Sequence, residues 1–160
     1  MDARPSPADP AQLEGLQRVL VEAIPLAAQM GATVDRLDER GLAVSMPLEP
    51  NLNPHQTAFA GSLNALCTLA GWAMTQLLVE QLGEQGGTVI RRSSIKYHTP
   101  VQDERVVAVC QPIPAEDLAH FSEMLKEKGQ SKLDHVVRIS GPDPDRPSVL
   151  FAGSYVVHRT

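Results

Sequence analysis

The spacing of apolar residues predicts two amphipathic helices of ordinary length. Apolar residues recur every three or four positions after the Asp9–Pro10 pair, which is typical of a helix N-terminus, so we predict a helix over residues 11–23. Pro25 interrupts this pattern, and the segment after it is predicted to be an irregular exit. Between Pro114 and Gly129, acids precede an apolar stripe and lysines follow it, which predicts a second, short surface helix.

Strand-like patterns fill most of the remaining chain. Residues 32–39 and 42–48, joined by a turn at Arg40–Gly41, have the pattern of a hairpin, with alternation in the second strand. Four later segments are also rich in strand-forming residues. They are TVIRRSSIKYHT, RVVAVCQPI, KLDHVVRIS and SVLFAGSYVVHR, with the turn-rich PDPDRP between the last two.

A third helix, predicted over Ser62–Leu82 and closed by Gly83, differs from the other two because it is apolar nearly all round. It would be about 31 Å long. Its apolar stretch, Leu63–Val79, contains four polar residues and is shorter than the roughly 20 residues of a membrane span, so we predict a buried core helix. An α+β fold in which a curved antiparallel sheet wraps around this helix satisfies the whole pattern.

Length and composition are those of one globular domain. We predict that residues 1–10 form a flexible N-terminal segment and residues 11–160 a single domain. The formal charge of −5 gives no electrostatic reason to bind nucleic acid. The start of the chain lacks a signal-peptide pattern, and Cys67 and Cys110 lack CxxC spacing, so we predict a cytoplasmic protein with reduced, packed thiols.

Residues 50–79 contain no Asp, Glu, Lys or Arg, although one-fifth of the chain is charged. Here a loop rich in Asn, Pro, His and Thr leads into the central helix. Helix N-termini carry unpaired N–H groups and a partial positive charge, which stabilise negative charge on a nearby oxygen. The small residues of AFAGS, residues 58–62, would let a substrate approach these amides.

Three segments of the sequence resemble the hot-dog superfamily: the junction PNLNPHQTAFAGSL, the element SSIKYHTPVQDERVVAV and the final strand FAGSYVV. More narrowly, P-N-x-N-x-x-x-T-x-F-A-G-S-L followed by L-A-G-W resembles the putative-thioesterase domain at the C-terminus of YiiD-type proteins, and the similarity extends over about residues 24–157. The resemblance implies a hot-dog fold and an enzyme acting on coenzyme A or acyl carrier protein thioesters. It also implies a homodimer or dimer of dimers with active sites at the subunit interface, and no cofactor beyond the substrate's own phosphopantetheine or coenzyme A.

Matching the superfamily's helix start to Phe59-Ala60-Gly61 implies that the Ala60 amide is the main oxyanion donor, with Gly61 beside it. The alternative is that Gly61 and Ser62 merely start and cap a helix. Asn53 and Thr57 are the other predicted catalytic residues, facing the acyl group without adding charge. Both have the alternative role of holding the loop, because Asn before proline commonly forms Asx-turns.

Further predicted substrate-binding residues lie around this junction and on the third strand. They are Asn51, Phe59, Ser62, Asn64, Thr68 and Lys96. Lys96 would contact a phosphopantetheine phosphate, and its alternative is a solvated strand lysine. His55 is not assigned a catalytic role, because the family motif has no histidine there. No pair of histidines has metal-ligand spacing, so no metal site is predicted.

The central helix lacks an acid where many hot-dog thioesterases place Asp or Glu, about two turns in. The matching register falls near Cys67 and Thr68, and the first helix acid is Glu80. Members of this branch have been linked to decarboxylation of malonyl-acyl carrier protein as well as to hydrolysis. Decarboxylation needs no base for carbon–carbon cleavage, so we predict a malonyl-thioester decarboxylase. The alternatives are a short-chain acyl thioesterase and a non-catalytic acyl-thioester binding protein.

Overall fold

A single antiparallel sheet of six strands wraps around one long helix, in a computed structural model that describes residues 6–160. The sheet order is β1-β2-β4-β5-β6-β3. The strands are β1 (Thr33–Asp38), β2 (Gly41–Pro47), β3 (Gly86–Tyr97), β4 (Arg105–Cys110), β5 (Gln130–Ile139) and β6 (Val149–Arg159). The helices are α1 (Pro10–Ala23), α2 (Pro25–Met30), α3 (Ala60–Gln81) and α4 (Ala115–Lys128), with a short 3-10 turn at Glu49–Asn51. The predicted α+β hot-dog architecture is confirmed.

The helix after Pro25 was missed by the sequence analysis, which predicted an irregular exit there. Ile24 ends α1 and also serves as the N-cap of α2. Proline lacks the N–H that would continue α1, yet its fixed φ suits the first turn of a new helix. Gly31 ends α2 in the left-handed conformation, at φ +73°. The result is a sharp corner between α1 and α2, which packs against α3.

Helix α3 forms the centre of the core. Its buried residues include leucines, alanines and methionine from its start to its last turn. By length and composition it is apolar enough to cross a membrane, but 67% of its most apolar window is buried inside the fold, as in the core helix of a soluble protein. Along one stripe, however, half-exposed residues recur at Asn64, Thr68 and Trp72, because the sheet does not cover that side. This open stripe of α3 positions the candidate site.

Gly71 allows the last strand to approach α3 closely. A Cβ at this position would overlap the ring of Tyr155 on β6. The fully buried Tyr155 donates a hydrogen bond from its hydroxyl to the Thr68 carbonyl, at 2.8 Å. The glycine of the L-A-G-W motif therefore serves packing between the helix and the sheet.

The predicted flexible segment, residues 1–10, lies partly outside the described residues, which begin at Ser6. The Ser6 carbonyl accepts a hydrogen bond from the side chain of Gln81 at 3.2 Å. Asp9 caps α1 through the amide of Ala11, so the helix begins at Pro10 and includes the last residue of that segment.

His135, on β5, is buried and its side chain is held by a threonine of α3. Its Nε2 lies 2.8 Å from the Thr75 hydroxyl, which also donates to the Gly71 carbonyl. Since that hydroxyl has one hydrogen, Nε2 must be the donor to Thr75, which leaves Nδ1 unprotonated; it has no hydrogen-bond partner among the described residues. Burial lowers the pKa of His135 to about 4.

We expect the free energy of unfolding to fall as the pH drops from about 6.5 to about 4, because the unfolded chain takes up a proton on His135 in this range and the folded chain does not. The full effect is at most about 3 kcal/mol. Urea unfolding across this range should show a shallower pH dependence in His135→Phe. The exposed His120 provides the control: His120→Ala should retain the wild-type slope. An unchanged slope in His135→Phe would contradict the assignment.

Candidate active site

The N-terminus of α3 presents backbone amides that the chain itself does not use. Phe59 is the N-cap residue and makes no side-chain cap. Its own N–H donates to the Asn51 carbonyl at 2.7 Å, so it is not available to a ligand. The amides of Ala60, Gly61 and Ser62 have no acceptor within residues 6–160. They form a group of hydrogen-bond donors at the positive end of the helix.

Asn51 fixes the direction in which the chain enters α3. Its side chain is buried, and its Nδ2 donates to the carbonyls of Met30 at 3.0 Å and Pro47 at 2.8 Å. Its carbonyl accepts from Phe59 immediately before the helix. Asn51 therefore joins the end of α2, the end of β2 and the start of α3, and its side-chain amide faces these carbonyls rather than the helix start.

Asn53 organises the loop before the helix. Its Oδ1 accepts hydrogen bonds from the amides of His55 at 2.8 Å and Thr57 at 3.1 Å, and its Nδ2 donates to the Thr57 hydroxyl at 2.7 Å. Gln56, with φ +63°, closes this turn in the left-handed region. These contacts favour the loop-holding alternative for Asn53 and Thr57. His55 is exposed at the tip of the loop.

Phe59 and Gly61 form the mouth of the site. The Phe59 side chain is 53% exposed, and its ring occupies the space that a Cβ on Gly61 would need. A side chain at position 61 would thus displace the ring or narrow the approach to the amides. The glycine that the family resemblance placed beside the oxyanion donor is therefore also the residue against which the Phe59 ring packs.

A cleft of about 350 Å³ extends from Gly61 along the open stripe of α3. Its floor consists of α3 residues spaced by three or four positions: Gly61, Asn64, Ala65, Thr68, Leu69 and Trp72. One wall is the α1–α2 corner, with Ile24, Leu26 and Ala27, and the other contains Ile90 of β3 and Tyr155 of β6. Three of the predicted site residues, Gly61, Asn64 and Thr68, therefore share one cavity.

The cleft is polar but uncharged near the helix start and apolar further along. The Thr68 hydroxyl donates to the Asn64 backbone carbonyl at 2.9 Å and makes a longer contact, 3.5 Å, with Asn64 Oδ1. The Asn64 Nδ2 has no acceptor among the described residues. Among residues 6–160, no acidic or basic side chain lines the cleft. Burial raises the pKa of the neighbouring Cys67 thiol to about 12, which agrees with its prediction as a packed thiol rather than a nucleophile.

Tyr97 reaches the helix start, and the sequence analysis did not select it. Its hydroxyl donates to the Ala60 carbonyl at 3.2 Å. Side chains alternate along β3, so Lys96, paired with Leu150, points to the opposite face of the sheet. The structure therefore does not bring Lys96 to the amides of its own chain. The alternation in the sequence predicts that Tyr97 and Lys96 lie on opposite faces of β3. Only the structure shows that Tyr97 is the one that faces α3.

The described residues contain no group of three or more His, Cys, Asp or Glu side chains placed to hold a metal ion. The polar groups at the site are the backbone amides of the helix start, the Asn64 side chain and the hydroxyls of Thr68 and Tyr97. These groups can bind and polarise a carbonyl oxygen. None of them is a cation, so they would not form an ion pair with a carboxylate of a ligand.

The curved sheet around one long helix, with an open helix N-terminus at an uncharged cleft, places the protein in the hot-dog thioesterase superfamily. More narrowly, the chain belongs to the family described as "Putative thioesterase (yiiD_Cterm)", whose model matches residues 13–159. This confirms the resemblance drawn from the junction motif and from L-A-G-W.

Solved structures agree with this family assignment. A protein of unknown function from Chlorobaculum tepidum is 28% identical, with a TM-score of 0.89 and coverage of 99% of both chains. A putative thioesterase from Shewanella oneidensis is 26% identical, with a TM-score of 0.78, covering 92% of this chain and 98% of that one. A thioesterase from Haemophilus influenzae, 14% identical with a TM-score of 0.69 over 98% and 95% of the two chains, shares the fold. A thioesterase-type enzyme is the class that these similarities support.

Proposed function

We propose that the protein decarboxylates a malonyl thioester, carried on acyl carrier protein or coenzyme A, to the acetyl thioester. The observation that carries the proposal is the group of unused amides at Ala60, Gly61 and Ser62, of which Gly61 also lines a cleft that has no charged side chain among the described residues. An oxyanion in such a position is stabilised by preorganised donors, and the loss of one donor costs about 2.7–4 kcal/mol in comparable sites.

In the proposed reaction, the bond between the malonyl carboxylate and the α-carbon breaks and carbon dioxide leaves. The bonding electrons move into the thioester, which becomes an enolate whose oxygen accepts hydrogen bonds from the amides of Ala60 and Gly61. The α-carbon then takes a proton from water, which yields the acetyl thioester. The carbon–sulfur bond remains intact, and no side chain needs to act as a base in the cleavage step.

The uncharged cleft supports decarboxylation in particular. In the proposed binding mode, the malonyl carboxylate lies beside the side-chain amide of Asn64, one turn beyond Gly61. This amide carries no formal positive charge, so it does not stabilise the bound carboxylate as a cation would. A carboxylate that has lost water without gaining a counter-ion is destabilised relative to neutral carbon dioxide. A carboxylate side chain in the cleft would instead repel the substrate.

Hydrolysis of an acyl thioester is the second candidate function. Membership of a family described as putative thioesterase favours it, as does the apolar length of the cleft beyond Thr68. Hydrolysis requires an activated water, and no Asp, Glu or His lines the cleft in the described chain. A base would then have to come from a second subunit or from outside the cleft.

A homodimer, alone or paired into a dimer of dimers, is part of the proposal. Strand β3 lies at the end of the sheet and pairs with β6 on one side, which leaves its other edge free within residues 6–160. Long free edges are templates for pairing with another chain. Exposed apolar residues, Val89, Ile90 and Tyr97, lie on this strand. We further propose a cytoplasmic location.

Incubating the purified protein with malonyl-acyl carrier protein and malonyl-coenzyme A, followed by mass spectrometry, tests the proposal. Loss of carbon dioxide with an intact thioester is the expected result. Release of free thiol would identify the hydrolase instead. Protection of a labelled thioester without any turnover would identify a non-catalytic acyl-thioester binding protein, and both of these outcomes would overturn decarboxylation.

We expect Asn53→Ala to lower turnover by on the order of 10-fold, because loss of the bonds to Thr57 and the His55 amide loosens the entry to α3. His55→Ala should stay within about twofold of wild type, since the bond at this residue uses its backbone N–H. Steady-state assays of the two variants provide the comparison. Equal losses, or a larger loss in His55→Ala, would contradict this ranking.

A further inference from the structure

We propose that the cleft along α3 binds an alkyl chain attached to the thioester, and that Trp72 forms the far wall that limits the length of this chain. The inference rests on the proposed function in one respect, namely that the thioester carbonyl lies at the Ala60 and Gly61 amides. It extends that function by assigning the outer part of the cleft to acyl or alkyl-substituted malonyl groups longer than malonyl itself.

The size of the cleft exceeds what malonyl requires. Its volume of about 350 Å³ lies within the range of roughly 300–1,000 Å³ found for small-molecule sites. Gly61 and Trp72 are separated by three turns of α3, or about 16 Å along the helix axis. A malonyl group held at the amides occupies the first turn beside Asn64, so about two turns of α3, from Ala65 to Trp72, remain for another group.

The lining beyond Thr68 is suited to hydrocarbon. Ala65 is small enough to leave the middle of the cleft open, and Leu69 and Trp72 provide an apolar floor. Leu26 and Ile90 stand at opposite lips and are 58% and 37% exposed. An apolar ligand in this open groove would remove these side chains from water, and the burial of apolar surface would favour its binding. Because the cleft runs from Gly61 at the helix start to Trp72, the ligand that fits it is an alkyl chain whose thioester end lies at the helix amides.

Trp72 is the group that ends the groove. It follows Thr68 by one turn on the same stripe and is half-buried against the core. The next residue of the stripe, Gln76, lies outside the cleft and hydrogen-bonds Thr88 at 2.6 Å. The indole therefore separates the apolar groove from a polar contact, and its removal should extend the groove towards Gln76.

The experiment uses ethyl, butyl, octyl and dodecyl thioethers of coenzyme A, which neither decarboxylate nor hydrolyse. Trp72 is the one tryptophan of the chain, so its fluorescence reports occupancy of the groove. We expect the dissociation constant to fall by up to about fourfold per added methylene until the groove is full, and then to level off. The emission should shift to shorter wavelength once a chain is long enough to reach the indole.

Two variants and a control test the wall directly, with calorimetry as the readout. Trp72→Ala should move the levelling-off point to longer chains, and Ala65→Leu should move it to shorter ones. Gln76→Leu, one turn beyond the cleft, should leave it unchanged. Dissociation constants independent of chain length in the wild type, as expected if a second copy of the chain fills the groove, would overturn the inference. An unmoved levelling-off point in both cleft variants would do the same. Because the thioethers do not react, these results are independent of whether malonyl turnover is observed.

Discussion

Replacement of Asn64 with aspartate is expected to lower malonyl-thioester decarboxylation by on the order of 100-fold while leaving the fold intact. Aspartate has the shape of asparagine and can still accept the long contact from the Thr68 hydroxyl. It adds a negative charge on the face of α3 that carries Gly61. Two like charges about 5 Å apart at an effective dielectric constant near 20 repel by about 3 kcal/mol. Because this repulsion opposes binding of the malonyl carboxylate, we expect the loss in kcat/KM, where it corresponds to roughly 100-fold.

The matched control is Gln76→Glu, which adds the same charge to the same side of α3 beyond Trp72. It should leave the rate within about twofold, because the charge lies outside the cleft. Product analysis adds a second readout: free thiol appearing in Asn64→Asp would show that a carboxylate at this position activates water. A decarboxylation rate in Asn64→Asp equal to that of wild type would show that the malonyl carboxylate does not lie beside residue 64.

The expected outcome depends on the absence of acids from the first five turns of α3, a feature that is visible in the sequence. The structure adds that the uncharged stretch is continuous in space, since no charged side chain of the α1–α2 corner, β3 or β6 enters the cleft within the described residues. The free amides at the start of α3 and the lack of an acid in its first turns are therefore features of one site. Either observation alone is compatible with an ordinary core helix.

Most of the fold was predictable because its signals are local. The alternation in β5 and the all-round apolar character of α3 each indicate an element without knowledge of its neighbours. The start of α3 was predicted two residues late, at Ser62 instead of Ala60. The helix begins directly after Phe59, which is held through its backbone by Asn51.

Only the part of the candidate site that lies in the loop–helix junction and on the first turns of α3 was predictable from the sequence. Gly61, Asn64 and Thr68 share a helix face, so their spacing places them together. Leu26 and Ile90 enter the same cleft from other elements, and no local pattern indicates that they meet. The same limit applies to Asn51, whose side chain bonds to the Met30 carbonyl far away in the sequence. Its predicted contact with substrate remains a prediction, and its structural contacts indicate a positioning role.

Asn51→Asp should be among the most destabilising single-atom changes in the protein, and Asn53→Asp should be close to neutral. Asn51 donates from Nδ2 to two carbonyls, and a buried carboxylate would face both with an acceptor, so we expect a loss of more than about 4 kcal/mol in the free energy of unfolding. Asn53 mainly accepts from two amides, a role that aspartate retains, and the Thr57 hydroxyl can reverse to donate to it.

Urea unfolding at neutral pH compares the two variants, which carry the same added charge in the same loop. Since a domain of this size is stable by about 5–15 kcal/mol, the Asn51 variant should lose a large share of its stability and the Asn53 variant little. If both variants were equally stable, the Asn51 amide would not be the group that fixes the entry to α3. Because the Phe59 amide is held by the Asn51 carbonyl, a loss of order there should also close or misalign the free amides of Ala60 and Gly61. The hydrogen bonds of Asn51 thus both stabilise the junction and fix the position of the amides at the start of α3.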